Sequence, residues 1–135
     1  LDFFIYSRAA IERLPVHDVP HLIISITSAA EDVARVPEGP HTLELVRVSF
    51  LDVAEGQPGA MTEAHAASIL AAFERHRGRL ERVVLHCDAG VSRSPGVALA
   101  LATLVGADST EIRRRYAPNG HVVQTILRAA GVHEP

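Results

Sequence analysis

A single cysteine occurs in this chain, and the residues around it are those whose types and spacing could do chemistry together: His86-Cys87-Asp88-Ala89-Gly90-Val91-Ser92-Arg93-Ser94. Cys87 stands six positions before Arg93, with Gly90 between them and the hydroxyl of Ser94 just beyond. An apolar run, Arg82-Val83-Val84-Leu85, leads in, and Pro95-Gly96-Val97-Ala98-Leu99-Ala100-Leu101 leads out. That pattern reads as a buried strand, a tight loop and the start of a helix. A loop of this kind aims successive backbone N–H groups at one point, backed by the positive end of the helix dipole, and so can hold a dianion. The same field favours thiolate over thiol, which would make Cys87 a nucleophile at the floor of an anion pocket. Arg93 could grip two phosphate oxygens at once, as lysine cannot. Pro95 falls in the first helical turn, where its missing N–H costs no hydrogen bond. No proline lies between Asp88 and Arg93, so every N–H there is available to an anion. The plainer alternative is a buried structural cysteine in an ordinary strand–helix turn.

The elements that must position this loop alternate along the chain, as in an α/β domain with a largely parallel sheet of about four strands. Phe3 to Tyr6 reads as a first strand, followed by a short helix from Arg8 to Leu14 that Ser7 caps and Pro15 stops. His21 to Ile26 is a second strand, nearly continuous in apolar residues and so covered on both faces. Ser28 can cap a helix through Ala34, closed by the turn Pro37-Glu38-Gly39-Pro40. Leu43 to Phe50 reads as a third strand, and a loop from Leu51 to Ala60 follows. Thr62 caps the longest helix, to about Arg77, with Ala66, Ile69, Leu70 and Phe73 at helical spacing and Gly78 at its end. After the Arg82–His86 strand and the cysteine loop comes a nearly all-apolar, buried helix to about Val105. Shorter helices follow at about Thr110–Tyr116 and Val122–Ala130. The reading is one domain, residues 1–135.

Composition narrows the partners. With 47% hydrophobic and 21% charged residues the chain is ordinary for a globular protein, so disorder is excluded. A net charge of −3 and the absence of tryptophan argue against nucleic acid and against an anionic membrane surface. No apolar run approaches the roughly 20 residues of a membrane span. One cysteine cannot form an intrachain disulfide, which fits a reducing, cytoplasmic compartment. The chain begins at Leu1, and the native N-terminus is expected to be longer or processed. His17 and His21 lie four apart with Pro20 between them, and His41, His65, His76, His121 and His133 show no ligand spacing, so no metal site is expected.

The nine residues from His86 to Ser94 resemble the active-site motif of the protein tyrosine phosphatase superfamily, His-Cys-x5-Arg-Ser/Thr, and the match is complete. More thinly, the resemblance extends over the Ile-Ser-Ile strand, the Asp52 loop, the Thr62-capped helix and Pro118-Asn119, as in the small, bacterial-type dual-specificity-like members. It implies a cysteine-dependent phosphomonoester hydrolase that works through a phosphocysteine without cofactor or metal. Its expected substrate is a phosphorylated protein or a small phosphomonoester, and it is expected to be a monomer. It implies that Cys87 is the nucleophile and that Arg93, with the loop Asp88, Ala89, Gly90, Val91, Ser92, holds the phosphate. It implies further that Ser94 bonds the thiolate and eases its departure, and that His86 braces the loop. A general acid is expected a few tens of residues earlier, after a strand and before a long helix. Asp52, 35 positions before Cys87, takes that role, with Glu55 as runner-up and a solvated loop carboxylate as the alternative. The Asn119 side chain is expected to support the loop backbone, or else simply to cap the last helix. One of Arg113, Arg114 and Arg115 could meet a second phosphate, although a solvated helix face is the commoner role.

This chain departs from relatives in two places. It lacks a tyrosine-bearing substrate loop, so phosphotyrosine selectivity is not implied, and it has Asp88 where inositol-lipid phosphatases carry lysine, which disfavours polyanionic headgroups. Two alternatives remain: a catalytically weak phosphate-binding module, and a rhodanese-type sulfurtransferase, whose loop is usually one residue shorter. Arsenate reduction of the low-molecular-weight type would need further cysteines and a loop near the N-terminus.

Overall fold

The structure is a computed structural model and describes residues 1–132. Its frame follows from where the apolar residues fall. Strand β2 (His21–Thr27) is buried at every position, which a strand can be only if neighbours flank it and layers cover both faces. It pairs with β3 (Thr42–Ser49) on one side and β4 (Arg82–Cys87) on the other, while β1 (Asp2–Ser7) closes the far edge of β4. The four strands run parallel in the order β1-β4-β2-β3. Every strand therefore ends at the same edge of the sheet, with Ser7 beside Cys87 and Thr27 beside Ser49. Ligands of open parallel sheets bind at that edge.

Alternation along the strands separates two cores. Leu22, Ile24 and Ile26 join Val83, Leu85 and Cys87 in the larger one, together with α2 (Glu63–His76), α3 (Arg93–Val105) and α5 (Gly120–Ala129). The opposite face is thinner: Ile23 and Val84 pack on Ile11 of α1 (Arg8–Ile11), with Phe4, Tyr6, Val36 and Leu45 around them. Helix α3 is buried from Arg93 through Ala102, as its apolar sequence requires, and ends at Gly106 in the left-handed conformation (φ 69°). Gly96 lets α5 approach closely, since a Cβ there would lie 3.1 Å from the Asn119 carbonyl and from Val122. The short helix α4 (Thr110–Arg115) links α3 to α5.

Three expectations need correction. The segment from Ser28 to Ala34 is no helix: only a bend and a turn form before the chain runs irregularly to β3. Seven residues make a marginal helix, and here external partners satisfy the segment. The Arg35 N–H donates to Glu12, the carbonyls of Val33 and Ala34 accept from Arg8 and Arg47, and Asp32 pairs with Arg8. Helix α1 stops at Ile11, well before Pro15. Gly78 follows the end of α2 without a positive φ, and a capping box of Thr62 and His65 secures that helix at its other end. Other boundaries shift by a residue or two, as helix and strand ends do. His133 lies outside the described residues.

Candidate active site

Cys87 is the last residue of β4, and its side chain is 2% exposed. The loop leaving it is held from outside by its carbonyls. Arg8 N–H donates to the Asp88 carbonyl (3.0 Å), Ala117 N–H to that of Val91 (3.0 Å) and Asn119 N–H to that of Ser92 (2.9 Å). Outside regular structure, no N–H from Asp88 to Ser92 donates to a backbone carbonyl among the described residues. Carbonyls tied outward leave the N–H groups on the concave side, the arrangement of an anion nest. Gly90 makes the turn possible. Its φ is +72°, and a Cβ would lie 2.7 Å from the backbone of Tyr6 and Ser7, so any side chain would collide with the end of β1. Helix α3 then begins at Arg93 with no side-chain cap on its first turn, so its positive end faces the nest.

Inside this loop Ser94 Oγ lies 3.2 Å from Cys87 Sγ, and the Ser94 N–H points at the same sulfur from 3.5 Å. Arg93 is 5% exposed. Its Nη1 donates to the carbonyl of Phe50 (2.8 Å) and to Ser28 Oγ (3.1 Å), and its Nη2 to Asp88 Oδ2 (3.1 Å). Behind the cysteine, buried His86 bridges two groups. A carbonyl can only accept, so Nδ1–H donates to Cys87 O (3.2 Å), and Nε2 then accepts from Ser25 Oγ (2.6 Å). Arg47 reaches Ser25 in turn. Burial holds the His86 pKa below that of a free histidine, so the ring stays neutral, as this bonding pattern needs.

Asp52 follows the end of β3, beyond Phe50, on the same edge of the sheet. Ser92 Oγ, forty positions away in sequence, donates to its Oδ1 at 2.8 Å. Asn119 Nδ2, sixty-seven positions away, donates to the same oxygen at 2.8 Å and to the Val53 carbonyl at 3.2 Å. Among the described residues both of these side-chain donors meet Oδ1, and no hydrogen bond occupies Oδ2. Glu55 is exposed and lies 3.7 Å from Arg128 of α5. A cleft of about 430 Å³ opens beside Asp52, lined by Val53, Glu55, Asn119, His121 and Gln124 and by no residue of the cysteine loop. Asp52 thus touches both the loop and the cleft.

No protein-family profile matches the sequence, and no curated protein matches it either. Solved structures do. Human DUSP28 superposes over 96% of this chain and 91% of its own at a TM-score of 0.60 and 18% identity. A mouse protein assigned to the dual specificity phosphatases, complexed with zinc tungstate, gives a TM-score of 0.56 at 23% identity, covering 98% of this chain and 74% of its own. The chain has the fold of the small dual-specificity phosphatases. Human tyrosine phosphatase-like serine/threonine/tyrosine-interacting protein is similar as well, with a TM-score of 0.55 and 17% identity over 84% of this chain and 77% of its own.

Within this phosphatase fold the structure gathers Cys87, Arg93, Ser94, Asp52, His86 and Asn119 at one edge of the sheet and leaves Glu55 at the periphery. Asn119 differs from the expectation: its backbone N–H supports the cysteine loop, while its side chain holds the acid loop and also caps α5 through Val122 N–H. Arg113 bonds Ser109, Arg114 pairs with Glu111, and Arg115 stacks over Tyr116, so this basic run stays on α4. Sequence reasoning missed Ser28 and the Phe50 carbonyl, which anchor Arg93, and Ser25, which orients His86. Only Ser25 carried a signal, as a hydroxyl inside the otherwise apolar run from Leu22 to Ile26. His121, whose Nε2–H donates to the Met61 carbonyl (2.8 Å), pins the far end of the acid loop and carried none.

Proposed function

We propose that this protein is a cysteine-dependent phosphomonoester hydrolase that acts through a phosphocysteine intermediate. The observation that carries this reading is the loop from Cys87 to Arg93, with its carbonyls tied outward around a buried sulfur at an uncapped helix terminus. An incoming phosphate takes hydrogen bonds from the N–H groups of Asp88 to Arg93 and from the Arg93 fork, and this sets phosphorus in line with Sγ. Cys87 thiolate attacks phosphorus as the ester P–O bond breaks, and Asp52, protonated, gives its proton to the leaving oxygen. Water then attacks the phosphocysteine. Asp52 takes a proton from that water, and the Ser94 hydroxyl, 3.2 Å from the sulfur, bonds the thiolate as it departs. His86 and Ser25 act on Cys87 only by fixing its carbonyl.

The similarity to a phosphatase-like interacting protein gives a second reading, a module that binds phosphate without turnover. The intact set of Cys87, Arg93 and Ser94 favours hydrolysis. The test is turnover of phosphotyrosine, phosphoserine, nucleotide and aryl phosphates by the purified chain in chelator. Cys87→Ser is expected to lower kcat by about 10⁴-fold or more while oxyanion binding persists. Binding without turnover in the unaltered protein would leave the binding module standing, and thiosulfate:cyanide activity would favour the sulfurtransferase.

A further inference from the structure

We propose that Asp88 sets the substrate class of this pocket: it selects phosphorylated side chains flanked by lysine or arginine and rejects those flanked by further anions. The inference rests on the hydrolase reading above and concerns a side chain that the reaction itself does not use, Asp88 serving the phosphate there only through its backbone N–H.

Its ground is the bonding of Arg93. Both Nη1 donors are engaged by the protein, through the Phe50 carbonyl and Ser28 Oγ. The edge left for a bidentate anion is therefore the one formed by Nε and Nη2. Nε has no protein acceptor among the described residues, but Nη2 already donates to Asp88 Oδ2 at 3.1 Å. A phosphate gripping that edge shares Nη2 with a carboxylate, so two anions face one guanidinium.

Asp88 is not needed to hold Arg93 in place, because Nη1 does that through two acceptors. Its own position is nonetheless fixed. Its carbonyl is tied to Arg8 N–H, and its Oδ2 also accepts from Ser28 Oγ at 3.4 Å. The side chain is 51% exposed, so the charge stands at the mouth and is felt by whatever accompanies the phosphate.

The other charges around the mouth do not offset it. Arg8 is matched by Asp32 and Glu12, and Arg128 by Glu55, while Asp52 adds no positive charge. A substrate cation beside the phosphate would offset the second anion, Asp88, that shares Nη2 with it. At separations of several ångströms and partial exposure, one such charge changes affinity by about tenfold.

The test uses Asp88→Asn, which keeps an oxygen to accept from Nη2 and Ser28 while removing the charge. Two phosphotyrosyl peptides serve as probes, identical except for lysine or glutamate on both sides of the phosphotyrosine. The unaltered protein is expected to prefer the lysine peptide by about tenfold in kcat/KM, and Asp88→Asn to bring the ratio near one. Inorganic phosphate, titrated into each protein, should bind the variant about tenfold more tightly. Turnover with the same peptide ratio in both proteins, or equal phosphate affinities, overturns the role of Asp88 and leaves the hydrolase reading intact. If neither protein turns over any ester, the hydrolase reading falls, and the phosphate titration alone then decides whether Asp88 governs the anion site.

Discussion

Two loops face each other across this site, and they are built in opposite ways. The cysteine loop is held by backbone: Gly90 fits only as glycine, the carbonyls of Asp88, Val91 and Ser92 are tied to neighbouring segments, and the next residues enter a buried helix. The acid loop, from Leu51 to Met61, is held largely by side chains that reach it from elsewhere. Ser92 and Asn119 fix Asp52, His121 fixes Met61, and Arg128 meets the exposed Glu55. Its backbone bonds are internal turns, Leu51 N–H to the Gly59 carbonyl, Val53 to Leu51, Gln57 to Ala54 and Ala60 to Gln57, so its ties to the rest of the protein are those side chains. A loop built on backbone keeps its shape when one side chain changes, whereas a loop held by side chains can be released by one. On the proposed reading, positioning an anion needs the first property, and presenting and withdrawing a proton donor is served by the second.

Arg93 joins the two, since its Nη1 bonds the Phe50 carbonyl at the root of the Asp52 loop while its Nη2 bonds Asp88 of the cysteine loop. Changing it therefore gives the largest effect. Arg93→Lys is expected to lower kcat/KM on a small aryl phosphate by about 10²–10³-fold, close to the loss for Arg93→Ala, because one ammonium cannot make both sets of bonds. A lysine variant that keeps most of its kcat/KM would show that the bidentate edge is not used.

The acid loop is next. Asp52→Asn is expected to slow hydrolysis of phosphotyrosine by about 10²-fold or more, and that of an activated nitrophenyl ester less, while flattening the alkaline limb of the rate–pH profile. Glu55→Gln should change neither, since Glu55 faces Arg128. The reverse pattern would move the acid to Glu55 and would mean that the loop rearranges when substrate binds.

The cysteine loop is tested by stability. Gly90→Ala places a Cβ 2.7 Å from the backbone of β1 at a φ of +72°, and is expected to cost about 1–3 kcal/mol in chemical denaturation. Asn119→Ala should leave this loop's backbone bonds in place while removing one of the two donors to Asp52 and the cap of α5, the cap alone costing about 0.5–2 kcal/mol. The contrast between the loops would therefore be erased only if Asn119→Ser, which keeps a cap, lost more stability than Gly90→Ala.

The smallest effect is on pH dependence. His86 is held neutral by burial, so protons bind the unfolded chain more readily than the folded one as pH falls below the ordinary histidine value of 6.5. Stability is full above that pH and declines below it, by at most about 1.4 kcal/mol per pH unit for each such group. His17 and His65 are depressed in the same direction and share the slope. His86→Asn should make urea unfolding less steep in pH between 6.5 and 5.5, and an unchanged slope would mean that His86 does not titrate there on unfolding.

The sequence by itself determined the cysteine loop, the parallel α/β order of elements and the buried character of β2 and α3. These rest on local rules: a glycine in a tight strand-to-helix loop, a proline in the first turn, an apolar run too continuous for one-sided burial. It also marked Asp52 as a carboxylate after the third strand, but gave it nothing to hold. It took the folded chain to bring Ser92 and Asn119, far away in sequence, onto one oxygen of Asp52, to place Ser28 against Arg93 where it caps no helix, and to bond Asp88 to Nη2 of Arg93. Side-chain hydrogen bonds between segments have no period and no fixed spacing. They exist because four parallel strands end at one edge, and that convergence is a property of the folded sheet.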